Sequence, residues 1–560
     1  MTTVDDSPSA RARNAERRTK YHEGDVVVVG AGVFGCAIAY ALANQGRSVI
    51  LLERWMYEPD RIVGELLQPG GVAALKKLGL EGCLEGIDAI PCYGYHVMYH
   101  GEDVVIPYPY VDSSGVVTSG SIPVPSSTPT LEHKGLNGTA NGNANGTANG
   151  VVVNRHTKGG IKKENGAVKK EEEEDEDEKK KVHWSDGQPQ GRSFHHGRFI
   201  MQLRRACVSH PNITVFETEV MSTIRGEHTD TILGVESRTT NRETNEKEPD
   251  YFFGQLTIIA DGYSSKFRKE FIGRTPIIRS KFYALELIDC PFPPSNFGHV
   301  VIGKAFPVLL YQIGTHETRA LIDVPEKLPA ASPANGGVRG YIRDVVIPTL
   351  PEIVRPSFEA ALADGKIPKS MPNSWLPPTK QTRHAGVLLL GDAYNMRHPL
   401  TGGGMTVAFN DVVLLAGLLK EVPNLADTKA VHEAMETFHW KRKSLTSIIN
   451  VLAQALYSLF AAQDRQLKAL QRGCFRYFQM GEHRTNEPMG LMGGLIHRPL
   501  TLAYHFFSVA FVAIWLNGVS VCNDGSLLGL WKLPFAMVDA VLILWKACVV
   551  FLPVFWTELN

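Results

Sequence analysis

Residues 25–35, DVVVVGAGVFG, set three glycines in the spacing GxGxxG directly after four consecutive valines. Four β-branched residues in a row specify a strand buried on both faces, and the glycines specify a tight turn into a helix. Gly30 permits the turn, Gly32 lets the backbone approach a pyrophosphate at the helix N-terminus, and Gly35 allows close helix packing. A second apolar strand, SVILLER, ends in Glu53, twenty-three residues after Gly30, where an acidic side chain meets a ribose hydroxyl. A glycine-rich turn alone can be only a turn. With the strand before it, the helix after it and the acid in place, the segment reads as the dinucleotide-binding unit of an α/β fold.

NAD and FAD share this opening, and two distant segments decide between them. LTIIADGYSSKFRK is an apolar strand ending in Asp261 and Gly262. GVLLLGDAYNMRHPLTGGGMTVAFND is a strand delivering Gly391 and Asp392, after which Gly402, Gly403 and Gly404 open a helix at Met405. A carboxylate at such a strand end can bind a ribityl hydroxyl, and a helix N-terminus can face the electron-rich pyrimidine edge of a flavin. Each segment alone also reads as a turn or an N-cap; together, in this order, they point to FAD.

The rest of the chain divides by composition. At 560 residues it exceeds one core, so several units are expected. These are a disordered N-terminus (1–23), FAD-binding segments at 24–111, 192–275 and 381–440, and a β-rich substrate domain at 276–380. A low-complexity insert at 112–191 and a helical, membrane-associated region at 441–560 complete the division. The insert carries NGTANGNANGTANG and KKEEEEDEDEKKK, which cannot bury enough apolar surface to offset chain entropy, and it is expected to be a disordered spacer. Two apolar runs, 500–521 and 527–556, approach membrane-spanning length. His505, Asn517, Pro534, Asp539, Lys546 and Pro553 interrupt them, which favours helices embedded in one leaflet over two clean spans or a protein core. The balance of 58 Lys+Arg against 58 Asp+Glu argues against nucleic acid as the main partner. Eight scattered cysteines without a CxxC read as reduced thiols, with no zinc or other metal site. The polar N-terminus has no apolar core of a signal peptide.

The order GxGxxG, ADG, GD resembles the flavin monooxygenases of the aromatic-hydroxylase type. The segments RIVGELLQPGGVAALKKLGLEGCLEGIDA, FHHGRFIMQLRRA and GDAYNMRHPLTGGGMTVAF are similar to the squalene epoxidase family. The resemblance covers 24–109, 191–479 and the hydrophobic tail, and leaves out the insert. It implies FAD contacts at Val33, Phe34, Glu53, Arg54, Arg61, Arg204, Val220, Asp392 and Met405, beside the glycines Gly30, Gly32, Gly35 and Gly404 and the acid Asp261. By itself, Arg204 reads as a surface cation on a helix. The resemblance also implies that Gln68 of ELLQPGG and Tyr95 of YGYHV line the reaction cavity in a positional role.

The fold so implied is a Rossmann-like FAD-binding domain, a β-rich substrate domain and a C-terminal hydrophobic helical region. The implied activity is FAD-dependent epoxidation of squalene with O2 to (S)-2,3-oxidosqualene, through a flavin C4a-hydroperoxide, in sterol biosynthesis. Electrons would come from NADPH through a diflavin cytochrome reductase, since no second nucleotide fingerprint follows the first. The implied location is the endoplasmic reticulum membrane, catalytic side to the cytosol, with lipid droplets as a second site. Two alternatives keep the flavin motifs: a membrane-bound flavin reductase or hydroxylase of another isoprenoid lipid, and a non-catalytic FAD-binding sensor.

Overall fold

The four valines are buried in the strand Glu23–Val29, which pairs in parallel with Val49–Glu53 on one side and Lys247–Ile259 on the other. This computed structural model describes residues 7–112, 115–118, 189–241, 244–363, 365, 367–381, 384–522 and 533–559. Ile213–Glu217 extends the sheet beyond Val49–Glu53, and Ile232–Thr240 and Glu219–Arg225 extend it antiparallel beyond Lys247–Ile259. Val387–Leu389 pairs in parallel with the end of Lys247–Ile259. Register sets Val29 beside both Leu52 and Ile259, and Ile259 beside Leu389. The chain therefore leaves all four strands along one sheet edge, and the GxGxxG, Glu53, ADG and GD segments collect there, as ligand sites do at the carboxyl ends of parallel strands. Helices Val33–Ala43 and Gly404–Lys420 cover the sheet through Phe34, Ile38, Phe409 and Val412.

A second seven-stranded sheet runs Lys369–Trp375, Ile277–Ile288, Glu317–Pro325, Val308–Gln312, Gly298–Ile302, Gly94–Tyr99, Glu102–Pro107. Its last two strands correct the expected division, which assigned them to the FAD-binding segment 24–111. The hairpin joins the substrate sheet because Tyr95, Val97 and Ile106 alternate onto one face and bury against Val300 and Leu309. A three-stranded sheet of Leu66–Leu67, Gly191–Ser193 and Ile90–Cys92 holds the chain where ordered sequence resumes. Both ends of the expected insert are thus structured: Val111 bridges Val117, and Gly191 is in a strand. The rest of that expectation, 119–188, lies outside the described residues.

The N-terminus is a second correction. Pro8–Lys20 is a helix, with the Ser7 hydroxyl accepting the Ala10 N–H at 3.3 Å. Arg18, 1% exposed, donates to Thr214 Oγ1, Ser48 Oγ and the Pro211 carbonyl at 2.8–2.9 Å, tying the helix to the sheet. One arginine in a polar stretch carries no periodic signal, so its docking is invisible until the sheet is formed.

Three helices, Lys443–Phe460, Arg465–Gln479 and His483–Met492, carry two long apolar ones, Pro499–Cys522 and Leu533–Leu559. Within these, Pro499–Ser520 (mean hydropathy 1.6) and Pro534–Glu558 (2.2) are long and apolar enough to cross a bilayer. Phe511, Trp515, Phe535, Val541, Trp545 and Trp556 are exposed, forming a membrane-associated region. The polar residues in these helices meet partners inside the protein: His505 with Tyr477 and Glu487, Asp539 with Arg465, and Lys546 with Asp464.

Candidate active site

Gly30 has φ +100°, and a Cβ there would sit 2.5 Å from the Ala260 carbonyl oxygen; on Gly35 it would sit 1.8 Å from that of Gly30. These two glycines shape the turn against its neighbours. Gly32 differs, because a Cβ on it meets nothing within 4 Å among the described residues, and no side chain among them caps the helix N-terminus it precedes. Glu53 accepts the Ala31 N–H at 2.7 Å and the Trp55 N–H at 3.2 Å. Arg204 is 5% exposed, not a surface cation: it donates to the carbonyls of Ala31, Trp55 and Tyr57 at 2.9–3.0 Å and lies 3.4 Å from Glu53. It clasps the turn to the loop after the second strand. Arg54 stacks on Trp55 at 3.6 Å with half its side chain exposed, at the rim.

A cavity of about 200 Å³ opens beside the turn. Gly32, Val33, Phe34 and Arg61 line one side, Asp392 and Arg397 another, and Gly404 and Met405 close it at the start of Gly404–Lys420. Seven residues expected from the sequence are therefore brought together, while Gly30, Gly35, Glu53 and Arg204 form or support the turn and Arg54 stays at the rim. Asp261 lies between the lining residues Ala260 and Gly262; burial raises its carboxyl pKa, and its Oδ1 is buried without a partner among the described residues. Val220 is the exception, packed in the core with Val29, Leu52 and Ile259, outside the cavity lining.

These residues fit an FAD. Open space at Gly32 before an uncapped helix N-terminus suits a pyrophosphate. The helix at Gly404 likewise has no side-chain cap among the described residues, and Arg61 Nε is a buried donor without a partner among them. Buried polar groups rarely stay unpaired, and a polar ligand would complete these.

Beyond the cavity, the Gln68 amide nitrogen donates to the Tyr95 hydroxyl at 2.7 Å and to the Thr401 carbonyl at 2.6 Å, while the Tyr108 hydroxyl donates to Gln68 Oε1. Gln68 and Tyr108 are 0% exposed and Tyr95 is 7% exposed. Burial pushes both phenol pKa values well up, so both stay neutral. Tyr95 also lines an apolar cavity of about 60 Å³ with Val97, Leu400, Leu456, Phe460, Phe478 and Met489, mostly from the C-terminal helices. The short turn Pro399–Thr401 separates the two spaces: Pro399 lines the first, and Leu400 and Thr401 line the second.

Sequence reasoning missed Tyr108 and Arg397. Tyr108 follows the hairpin strand that returns beside Tyr95, so the pairing of Gly94 with Pro107 was the signal available. It also missed Glu65, 1% exposed, which accepts both Arg319 Nε and a terminal guanidinium nitrogen at 2.9 Å. This pair joins the loop before Leu66–Leu67 to the substrate sheet.

Comparison with known proteins places these features in a wider context. The squalene epoxidase family profile matches residues 253–531, and that of the FAD dependent oxidoreductases matches 25–57. The squalene epoxidase of Gibberella zeae is 60% identical over 544 residues, covering 97% of both chains. That of Aspergillus fumigatus is 47% identical, covering 98% of this chain and 96% of its own. That of Saccharomyces cerevisiae is 37% identical, covering 98% and 97%. Among solved structures, Pseudomonas aeruginosa PqsL in complex with 2-aminobenzoylacetate has a TM-score of 0.54 at 18% identity, covering 80% of this chain and 98% of its own. Klebsiella pneumoniae HpxO complexed with FAD and uric acid gives 0.53 at 16%, covering 85% and 97%. These two likenesses show the flavin monooxygenase fold.

Proposed function

The chain belongs to the squalene epoxidase family, and from that premise we propose that it epoxidises squalene to (S)-2,3-oxidosqualene with FAD, as a step of sterol biosynthesis. The observation that carries this reading is the pair of adjoining spaces divided by Pro399–Thr401: one that fits FAD, edged by Arg61, Asp392 and Arg397, and an apolar one walled largely by the helices Lys443–Phe460, Arg465–Gln479 and His483–Met492, which carry the membrane-associated ones. A hydrocarbon substrate drawn from lipid needs both. When bound, FAD would pass two electrons from NADPH to O2, so that one oxygen atom can go to the alkene and the other leave as water.

The protein's own part is positional. Gly32 and the helix N-terminus would hold the pyrophosphate, Asp392 the ribityl chain, and Gly404 and Met405 the ring end. An isolated alkene offers no proton to remove, so no protein base is needed. Gln68 fixes the Tyr95 hydroxyl beside the apolar space by donating to it and to Thr401 at once. Held this way, Tyr95 orients one terminal double bond in a dry pocket. Among the described residues the Tyr95 hydroxyl donates at 3.5 Å to the Thr401 carbonyl, a long contact that lets it turn toward the cavity.

NADPH acts in this reading through a diflavin reductase partner on the cytosolic face of the endoplasmic reticulum. The apolar helices lie in one leaflet rather than span it, which accords with Asp539, Lys546 and His505 all being bonded to the catalytic body. Turnover of squalene by detergent-solubilised protein tests the reading. Oxidosqualene is expected with FAD, NADPH and the reductase together, and none when the reductase is omitted; product with NADPH alone would overturn the proposed electron route.

A further inference from the structure

Arg397 stands at the wall of the flavin cavity with its guanidinium buried, yet no carboxylate bonds to it directly among the described residues. It donates instead to Asn395, to the backbone carbonyl at 3.2 Å and to Oδ1 at 2.8 Å. Asn395 Oδ1 also accepts from Asn450 Nδ2 at 3.3 Å, and the same Asn450 nitrogen donates to Glu558 Oε1 at 2.9 Å. Glu558 is 1% exposed and lies at the end of the last apolar helix, more than 150 residues away in sequence. The other buried guanidinium of the cluster, Arg442, is already matched by Asp411 through bonds of 3.0 and 2.6 Å. Two carboxylates beyond Asp411 reach Arg397 with their charge, Asp392 at the cavity wall and Glu558 behind it, and of these Glu558 is the fully buried one joined to it by hydrogen bonds. Burying a guanidinium is strongly unfavourable unless charge and hydrogen bonds offset it, so the Glu558–Asn450–Asn395 chain contributes to keeping Arg397 at the cavity wall.

We propose that Glu558 is a positioning residue of the flavin site, holding Arg397 against the cavity through Asn450 and Asn395, so that docking of the last membrane-associated helix is coupled to FAD binding. The inference rests on the flavin reading of the cavity. Its consequence is that the far end of the membrane-associated region completes the cofactor site, instead of serving as an anchor alone.

The test is FAD affinity of the full-length protein, followed by flavin fluorescence quenching, for wild type, Glu558→Gln, Arg397→Gln and the double variant. Glu558→Gln keeps the shape and the bond from Asn450 while removing the charge. It should weaken FAD binding about tenfold, Arg397→Gln should do the same, and the double variant should be no weaker than Arg397→Gln alone. Thermal midpoints of the FAD-free proteins monitor folding. An unchanged affinity in Glu558→Gln, or losses that multiply in the double variant, would overturn the coupling. Failure of the wild type to bind FAD would instead overturn the cavity reading on which it rests.

Discussion

The Gln68 side-chain amide donates to the Tyr95 hydroxyl at 2.7 Å, linking a residue that follows the strand Leu66–Leu67 to one in the substrate sheet. With the Tyr108 hydroxyl bonded to its other end, the amide is fully committed and cannot rotate without breaking bonds in a buried site. Tyr95→Phe and Gln68→Ala should each lower kcat/KM for squalene by about tenfold to a hundredfold through misplacement of the substrate. FAD affinity should hold in both. Steady-state kinetics with a parallel FAD titration checks this, and full turnover in both variants would remove Tyr95 from the site.

The two glycines flanking the phosphate turn should separate cofactor binding from folding. Gly32→Ala places a Cβ in open space, so the FAD-free protein should keep its thermal midpoint while FAD affinity drops about tenfold or more. Gly35→Ala drives a Cβ against the Gly30 carbonyl oxygen and should instead destabilise the fold itself. Calorimetry of both FAD-free variants distinguishes the two effects.

Much of this was legible in the sequence because the signals were local. Valine runs, glycine spacing and acids at strand ends specify the FAD sheet, and parallel register brings the separated motifs to one edge. What escaped was set by contacts distant along the chain. Arg18 caps a sheet edge formed by residues about 30 and 196 positions later, and the hairpin holding Tyr95 joins a sheet whose nearest partner strand begins at Gly298. Val220, carried over by resemblance, packs its side chain in the core here and leaves only its backbone to face a ligand. No local pattern distinguishes Glu65 or Glu558 from any other glutamate.

The buried Glu65 and Arg319 pair should show the asymmetry of buried ions. Glu65→Ala leaves the guanidinium with the partly exposed Glu286 at 3.3 Å in place of its buried partner and should cost up to about 3–5 kcal/mol, measured by urea unfolding. Replacing both, as Glu65→Gln with Arg319→Met, should recover much of that loss. If the single variant is as stable as wild type, the pair does not hold the two sheets together.

Stability should fall in mild acid. Burial pushes His196, His299 and His398 each down to about 3, so the folded protein holds them neutral while the unfolded chain binds protons below about pH 6.5. Each histidine then contributes stability that is present above pH 6.5 and lost at about 1.4 kcal/mol per pH unit as the pH falls toward 3. Asp323, pushed up to about 6 by burial, opposes this below pH 6. His398→Phe, which preserves stacking on Tyr457, isolates one contribution. Between pH 7 and pH 5 it should lose about 2 kcal/mol less than wild type. Identical losses would mean that His398 titrates normally in the folded state.

The most direct test of the account is mass spectrometry of the product formed from squalene, FAD, NADPH, the diflavin reductase and isotopically labelled O2. The expected product is 2,3-oxidosqualene carrying one labelled oxygen atom, formed at a much lower rate by Tyr95→Phe. A reduced isoprenoid, a hydroxylated product, or oxidosqualene without label would contradict it.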